Sequence, residues 1–94
     1  MKTYWTYIVA SQKNGTLYIG VTSGLVGRVW QHKESLSGFT KKYEVHKLVY
    51  FEGFGDIELA IRREKRLKKW NRKWKIDLIN QFNPSWEDLY KKLF

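Results

Sequence analysis

Asn14-Gly15 lies between two runs of β-branched and aromatic residues, Tyr4 to Ala10 and Leu17 to Val21. That arrangement is a strong local instruction for a β-hairpin, because both turn residues tolerate the left-handed backbone of a tight strand reversal. Side chains alternate across a strand, so Trp5, Tyr7 and Val9 share one face of the first arm. In the second arm Tyr18 and Gly20 share a face, opposite to Leu17, Ile19 and Val21. A two-residue turn at Asn14-Gly15 leaves Tyr7 and Tyr18 staggered, whereas a wider loop centred nearer Gln12 sets them directly opposite. In either register both phenols face the same side. Glycine at 20 leaves room beside Tyr18 for a ligand or a backbone to approach.

Further along, a helix is expected from Thr22 or Ser23, either able to cap it, to about Ser35, with Leu25, Val29 and Leu36 on one stripe. Gly24 and Gly27 weaken it, an interior glycine costing about 1 kcal/mol. "SGFTKKY" reads as a loop, and "HKLVYFEGF" as a third strand whose nearly continuous apolar run suits burial on both faces. Asp56 is placed to cap a helix from Ile57 to about Trp70, and another follows from Lys73 to Phe82. Asn83-Pro84 then forces a turn before a last short helix within Trp86 to Leu93. The order β-β-α-β-α-α describes an α/β fold: a small three-stranded antiparallel sheet flanked by helices. The 94 residues suit one domain, 1–94, with one core.

With no cysteine, the chain has no disulfide framework, thiolate nucleophile or cysteine zinc site, and two histidines are too few for most zinc centres. No apolar run approaches the roughly 20 residues of a membrane span, and the basic start lacks a signal peptide's apolar segment. A cytoplasmic protein without a membrane partner is expected. Eighteen Lys and Arg against nine Asp and Glu leave a formal charge of +9. Half of those cations fall between Arg62 and Lys75, where Glu64 is the only acid. A charge run is often a solvated helix face, but so local an excess favours a polyanion, nucleic acid first. An acidic protein or a membrane surface is the weaker fit.

Three residues sit oddly on their helices. Projected at 100° per residue, Ile57, Ala60, Ile61 and Leu67 form an apolar arc with Glu64 near its middle. A carboxylate there needs a partner, a cation or a solvated cleft. Lys68, four residues on, offers an ion pair, and a hard divalent cation held through oxygen is the other reading. In the earlier helix Arg28 and His32 lie one turn apart and point partly inward. A lone histidine at such an edge is commonly structural. Phosphodiester hydrolysis, however, needs a polarising cation, a base for water, positive charge at the phosphate and a route for the leaving-group proton. Glu64, a tyrosine, Arg28 and His32 match those needs. Tyrosine, with an ordinary pKa near 10, requires cations nearby to act as a base.

These residues together resemble the GIY-YIG nuclease superfamily, especially its small stand-alone bacterial members related to the excinuclease catalytic domain. "TYI" at 6–8 stands where the family has GIY, with Thr6 for the first glycine, and "YIG" at 18–20 is intact. "LVGRVWQH" carries the arginine and histidine, with Gly27 in place of what is often a larger residue, and "AIRREKRLKKW" carries the glutamate. "SGFTKKY", "LVYFE" and "NPSWEDL" are similar to the family's later segments. The resemblance implies a DNA endonuclease, in repair or processing, using Mg²⁺ or Mn²⁺ with Glu64 as protein ligand. It implies that Tyr7 or Tyr18 deprotonates water, Arg28 stabilises phosphate charge and His32 aids proton transfer or orientation. Gly20 and Asn83, the latter preferred to Asn80, are motif positions. Lys41, Lys42, Lys69, Arg72 and Lys73 are candidate nucleic-acid contacts. A catalytically idle DNA- or RNA-binding module is the alternative, and an adaptor for acidic proteins a third.

The charge distribution generates a prediction without further structure. The basic run can contact phosphates but offers no base-reading element, so DNA affinity should fall steeply with salt and vary little with sequence. Titrations of unrelated duplexes at low and high salt check this, and salt-independent affinity would refute it.

Overall fold

A computed structural model describes residues 2–34 and 44–94. Its elements are β1 (Tyr4–Ala10), β2 (Leu17–Thr22), α1 (Leu25–Lys33), β3 (Lys47–Phe54), α2 (Ile57–Lys69), α3 (Arg72–Phe82) and a C-terminal 3₁₀ helix (Leu89–Leu93). The sheet order is β2-β1-β3, with both pairings antiparallel. The expected α/β architecture and element order are therefore present. The loop "SGFTKKY" and Leu36 lie outside the described residues.

The hairpin closes in a register between the two expected ones: Tyr7 pairs with Gly20, and Tyr18 with Val9. The loop is four residues, Gln12 to Gly15, closed by Ser11 N–H to the Thr16 carbonyl at 3.0 Å and Gly15 N–H to the Gln12 carbonyl at 2.9 Å. Asn14 takes the left-handed backbone, with φ of 58°. The two phenols share a face, staggered. The space over Gly20 is not open to a ligand, because a β-carbon there would meet the Tyr7 hydroxyl oxygen at 2.5 Å. The glycine makes room for the tyrosine of the neighbouring strand.

β1 is the central strand, and Thr6 to Ala10 are buried on both its faces. β3 is an edge strand, yet Leu48, Val49 and Tyr50 are buried and cover both of its faces, as its apolar run suggested. Its register shifts between Ile8 and Val9, with Ile8 opposite Tyr50 and Val9 opposite Leu48. That bulge turns both Val49 and Tyr50 toward one apolar layer while Leu48 serves the other. One layer holds Ile8, Ala10, Ile19, Val49 and Tyr50 under Leu67 of α2 and Ile79 of α3, with Trp86. The other holds Tyr7, Val9 and Leu48 under Leu25 and Val29 of α1, with Val45 and Leu89. Helices thus cover opposite faces of one sheet.

Local chemistry sets most helix ends. Asp56 caps α2 by accepting from Glu58 N–H at 2.9 Å, and Asn71 caps α3 by accepting from Trp74 N–H at 2.9 Å. The expected Thr22 or Ser23 cap of α1 is absent: Gly24 takes the cap position with no side-chain bond, and Thr22 Oγ1 instead accepts from Gly24 N–H. In α2 the apolar arc is narrower than projected. Ala60 and Leu67 are buried, but Ile57 and Ile61 flank the contact and are exposed. Glu64 remains on the inward line, one turn after Ala60 and nearly one before Leu67. Thr6 donates its hydroxyl to the Ala60 carbonyl at 2.8 Å and so ties β1 to α2.

Candidate active site

Tyr7 emerges from the central strand beneath α1, and the helix periodicity brings Arg28 and His32 over it one turn apart. The Tyr7 hydroxyl lies 2.9 Å from His32 Nε2 and accepts from Arg28 Nε at 3.4 Å. Tyr18, from β2, sits beside both rings, its centroid 6.5 Å from that of Tyr7 and 5.1 Å from that of His32. Arg28 is further anchored by Nη1 donating to Gln31 Oε1 at 3.0 Å. Tyr7 is fully buried and His32 only 2% exposed, whereas Tyr18 and Arg28 remain partly accessible.

Burial decides the protonation states. It pushes the Tyr7 phenol up to about 12, against the pull of Arg28, and the nearby Tyr18 and Glu64 push the same way. His32 is lowered to about 4, first by burial and then by the Arg28 charge. At neutral pH the Tyr7–His32 bond therefore joins two uncharged groups. His32 Nδ1 has no hydrogen-bond partner among the described residues. Arg28 is held more firmly protonated than usual, the Tyr7 hydroxyl being the first cause.

Glu64 arrives from the opposite layer, yet its charge reaches Tyr7. Its carboxylate is 3.2 Å from Lys68 Nζ, and the lysine is the more exposed partner. The ion-pair reading has its counterpart, and the Glu64 charge is also felt at Tyr7. Among the described residues no three His, Cys, Asp or Glu side chains gather to hold a metal. A single partly accessible carboxylate suits Mg²⁺, which commonly keeps several waters and takes its remaining oxygens from phosphate. Beside Tyr18 a cleft of about 390 Å³ opens between Leu17 of β2 and Lys68, Arg72 and Lys75.

The other candidates divide. Asn83 is buried and structural: its Nδ2 donates to the Val49 and Glu87 carbonyls at 3.3 and 2.8 Å, while its Oδ1 accepts from Glu87 N–H. Asn80 instead accepts from Trp86 Nε1 at 2.6 Å. Arg72 does more than present charge, since its Nη2 donates to the Asn14 and Gly15 carbonyls at 2.6 and 2.5 Å and clamps the hairpin turn. Lys69 and Lys73 are exposed, Lys73 lying 3.6 Å from Asp77. Lys41 and Lys42 lie outside the described residues. Sequence reasoning missed Gln31, although its spacing three residues after Arg28 was readable, and it missed the Thr6 bond, which no local pattern announces.

A family model described as the GIY-YIG catalytic domain matches residues 3–77. The chain is 32% identical over 82 residues to a UPF0213 protein of Staphylococcus haemolyticus, covering 86% of this chain and 99% of the other. It is 34% identical over 85 residues to a UPF0213 protein of Syntrophus aciditrophicus, covering 88% and 94%. The solution NMR structure of a UPF0213 protein from Bacillus halodurans aligns with a TM-score of 0.58 at 25% identity, covering 92% of each chain.

The depressed His32 pKa makes the cluster a stability sensor. An unfolded histidine titrates near 6.5 and this one near 4. The stability it contributes is therefore complete above the unfolded value and is lost as pH falls toward the folded one. Unfolding free energy should drop by about 2 kcal/mol between about pH 7.5 and pH 5, and His32→Gln should lose most of that slope. Denaturant titrations of both proteins at the two pH values measure it; equal slopes would refute it.

Proposed function

The chain belongs to the GIY-YIG family, a nuclease superfamily, and from that premise we propose that it is a divalent-cation-dependent endonuclease hydrolysing DNA phosphodiesters, in repair or another processing step. The observation that carries the reading is the Tyr7 hydroxyl held between Arg28 and His32 beside Tyr18, with the Glu64 charge within reach. Hydrolysis of a phosphodiester needs fixed positive charge and a hydroxyl or carboxylate able to manage a water proton, and this cluster supplies both.

Accessibility divides the work between the tyrosines. Tyr7 is fully buried and strongly disfavours its phenolate, so it cannot meet an incoming water as it stands. Tyr18 is partly exposed and lines the cleft, and in this reading it takes the proton of the attacking water. Arg28 faces both phenols and contributes positive charge at the phosphate. His32, buried and uncharged near neutral pH, orients Tyr7 and through it the Arg28 side chain. Mg²⁺ or Mn²⁺, with Glu64 as its protein ligand, would supply positive charge at the phosphate and make the nearby water more acidic. Lys69, Lys73 and the Arg72 side of the cleft contribute to holding the DNA, with Lys41 and Lys42 as further candidates.

One observation favours the second reading, an idle DNA- or RNA-binding module: Glu64 already has Lys68 as a partner. Substitutions at both positions separate the two. Glu64→Gln keeps size and hydrogen-bonding capacity but removes the charge that attracts a cation, so cleavage should fall at least about 100-fold while folding and cation-free DNA binding persist. Lys68→Met should stay active. Cleavage and thermal unfolding of both variants check this, and metal-dependent cleavage by folded Glu64→Gln would refute the assignment.

The tyrosine roles are tested the same way. Tyr18→Phe should lower cleavage by about 10²- to 10⁴-fold with little change in stability. Tyr7→Phe removes the partner of a buried His32 nitrogen and should cost about 1–3 kcal/mol of stability. A stable, inactive Tyr7→Phe beside an active Tyr18→Phe would exchange the roles.

A further inference from the structure

Arg62, Lys65, Arg66 and Lys69 recur at helical spacing and form one stripe on α2. Ala60, Glu64 and Leu67 occupy the other side of the helix, against the sheet, so this stripe does not face the tyrosine cluster. Three shallow cavities run along it and share residues. One of about 130 Å³ lies among Phe54, Leu59, Arg62 and Arg66. The next, about 310 Å³, is lined by Arg62, Lys65, Arg66, Lys69 and Trp70, and the last, about 200 Å³, by Trp70 and Trp74 with Asp77 and Gln81. No acidic side chain lines the first two.

The aromatic end is built. Arg63 donates from Nε to Glu52 Oε1 at 3.0 Å while its guanidinium lies 5.3 Å from the Trp70 ring centroid. Trp70 is thereby fixed, and Trp74 meets it edge to face at 5.9 Å and 88°. Trp74 is left 53% exposed at the end of the cationic track.

We propose that this groove binds a single-stranded polynucleotide, with phosphates on Arg62, Lys65, Arg66 and Lys69 and a base stacked on Trp74. The four cations span about 10 Å of helix, and an unpaired base can reach an exposed indole whereas a duplex hides its base faces. An acidic peptide would satisfy the cations and leave the tryptophan unused. The groove is separate from the tyrosine cluster, and the proposal stands whether or not that cluster cleaves.

Fluorescence anisotropy with labelled oligo-dT and oligo-U, in chelator so that no divalent cation is present, tests it without reading cleavage. Wild type should bind single strands with a log–log salt slope near about −3, as four phosphate contacts imply, and Lys65→Gln with Arg66→Gln should reduce the slope's magnitude by about 1.4. Trp74→Ala should weaken single-strand binding by about 5- to 100-fold and duplex binding much less, while Trp74→Phe restores it. The two oligonucleotides distinguish DNA from RNA as the source of the strand. Circular dichroism verifies that each variant is folded, and should Trp74→Ala fail to fold, the Trp74→Phe and charge variants still decide. Unchanged single-strand affinity in folded Trp74→Ala, equal losses for single strand and duplex, or competition by polyglutamate as effective as oligo-dT would overturn the proposal.

Discussion

The phenol of Tyr7 packed over Gly20 is the contact on which the remaining geometry depends. The ring occupies space that any β-carbon at position 20 would take. Once it lies there, its hydroxyl ends beneath α1, where His32 and Arg28 can reach it. Burial makes the arrangement demanding. A hydroxyl removed from water needs a partner, and so does the imidazole that meets it. Each is the other's answer, which ties α1 to the central strand by chemistry as well as by the apolar contacts of Leu25 and Val29. The same burial raises Tyr7 and lowers His32 in pKa, so the contact that orders the site also keeps both groups uncharged.

Local signals made much of this legible in the sequence. The Asn14-Gly15 turn, the alternation in both arms, Asp56 as a cap and the Asn83-Pro84 break each act within a few residues, and each marks the element end or turn expected of it. Readings that depended on packing between distant segments fared less well. The bulge that sends Val49 and Tyr50 of β3 into the same layer was not legible, because register is set by the partner strand. The hairpin register fell between two alternatives because four residues, not two, make the turn. Ile57 and Ile61 follow the helical period but look past a sheet too narrow to cover them. At the site, residue types and spacing named Arg28, His32 and Glu64, yet nothing in the chain order shows that Glu64 approaches from the opposite layer.

The cations divide by structure in a way that their crowding in the sequence conceals. Lys68, Arg72 and Lys75 border the cleft beside Tyr18, Arg63 is committed to Glu52 and Trp70, and Arg62, Lys65, Arg66 and Lys69 look outward. Even at the cleft, Arg72 has a structural role in holding the turn carbonyls. A single basic run therefore produces two differently oriented surfaces and two internal clamps. Within α2 helical periodicity is the cause, residues adjacent in sequence being about 100° apart, while Arg72 and Lys75 belong to α3.

The C-terminal segment shows how a region beyond the matched residues 3–77 still bears on the site. Trp86 is fully buried in the α2 and α3 layer, and Leu89 closes the α1 layer on the other side of the sheet. Between them Asp88 caps the 3₁₀ helix, accepts from Leu48 N–H at 3.2 Å and pairs with Lys33. Lys33 is the neighbour of His32 at the end of α1, a helix whose start has no side-chain cap and which contains a glycine. Burial pushes the Asp88 carboxyl up, but Lys33 and the backbone donors hold it below the usual range, as a charged anchor requires. A weak helix that must present Arg28 and His32 to a buried phenol is thus secured at its far end by the tail. The tail belongs to the same physical argument as the motif residues: intrinsic helix propensity alone does not position α1, and tertiary contacts make good the difference.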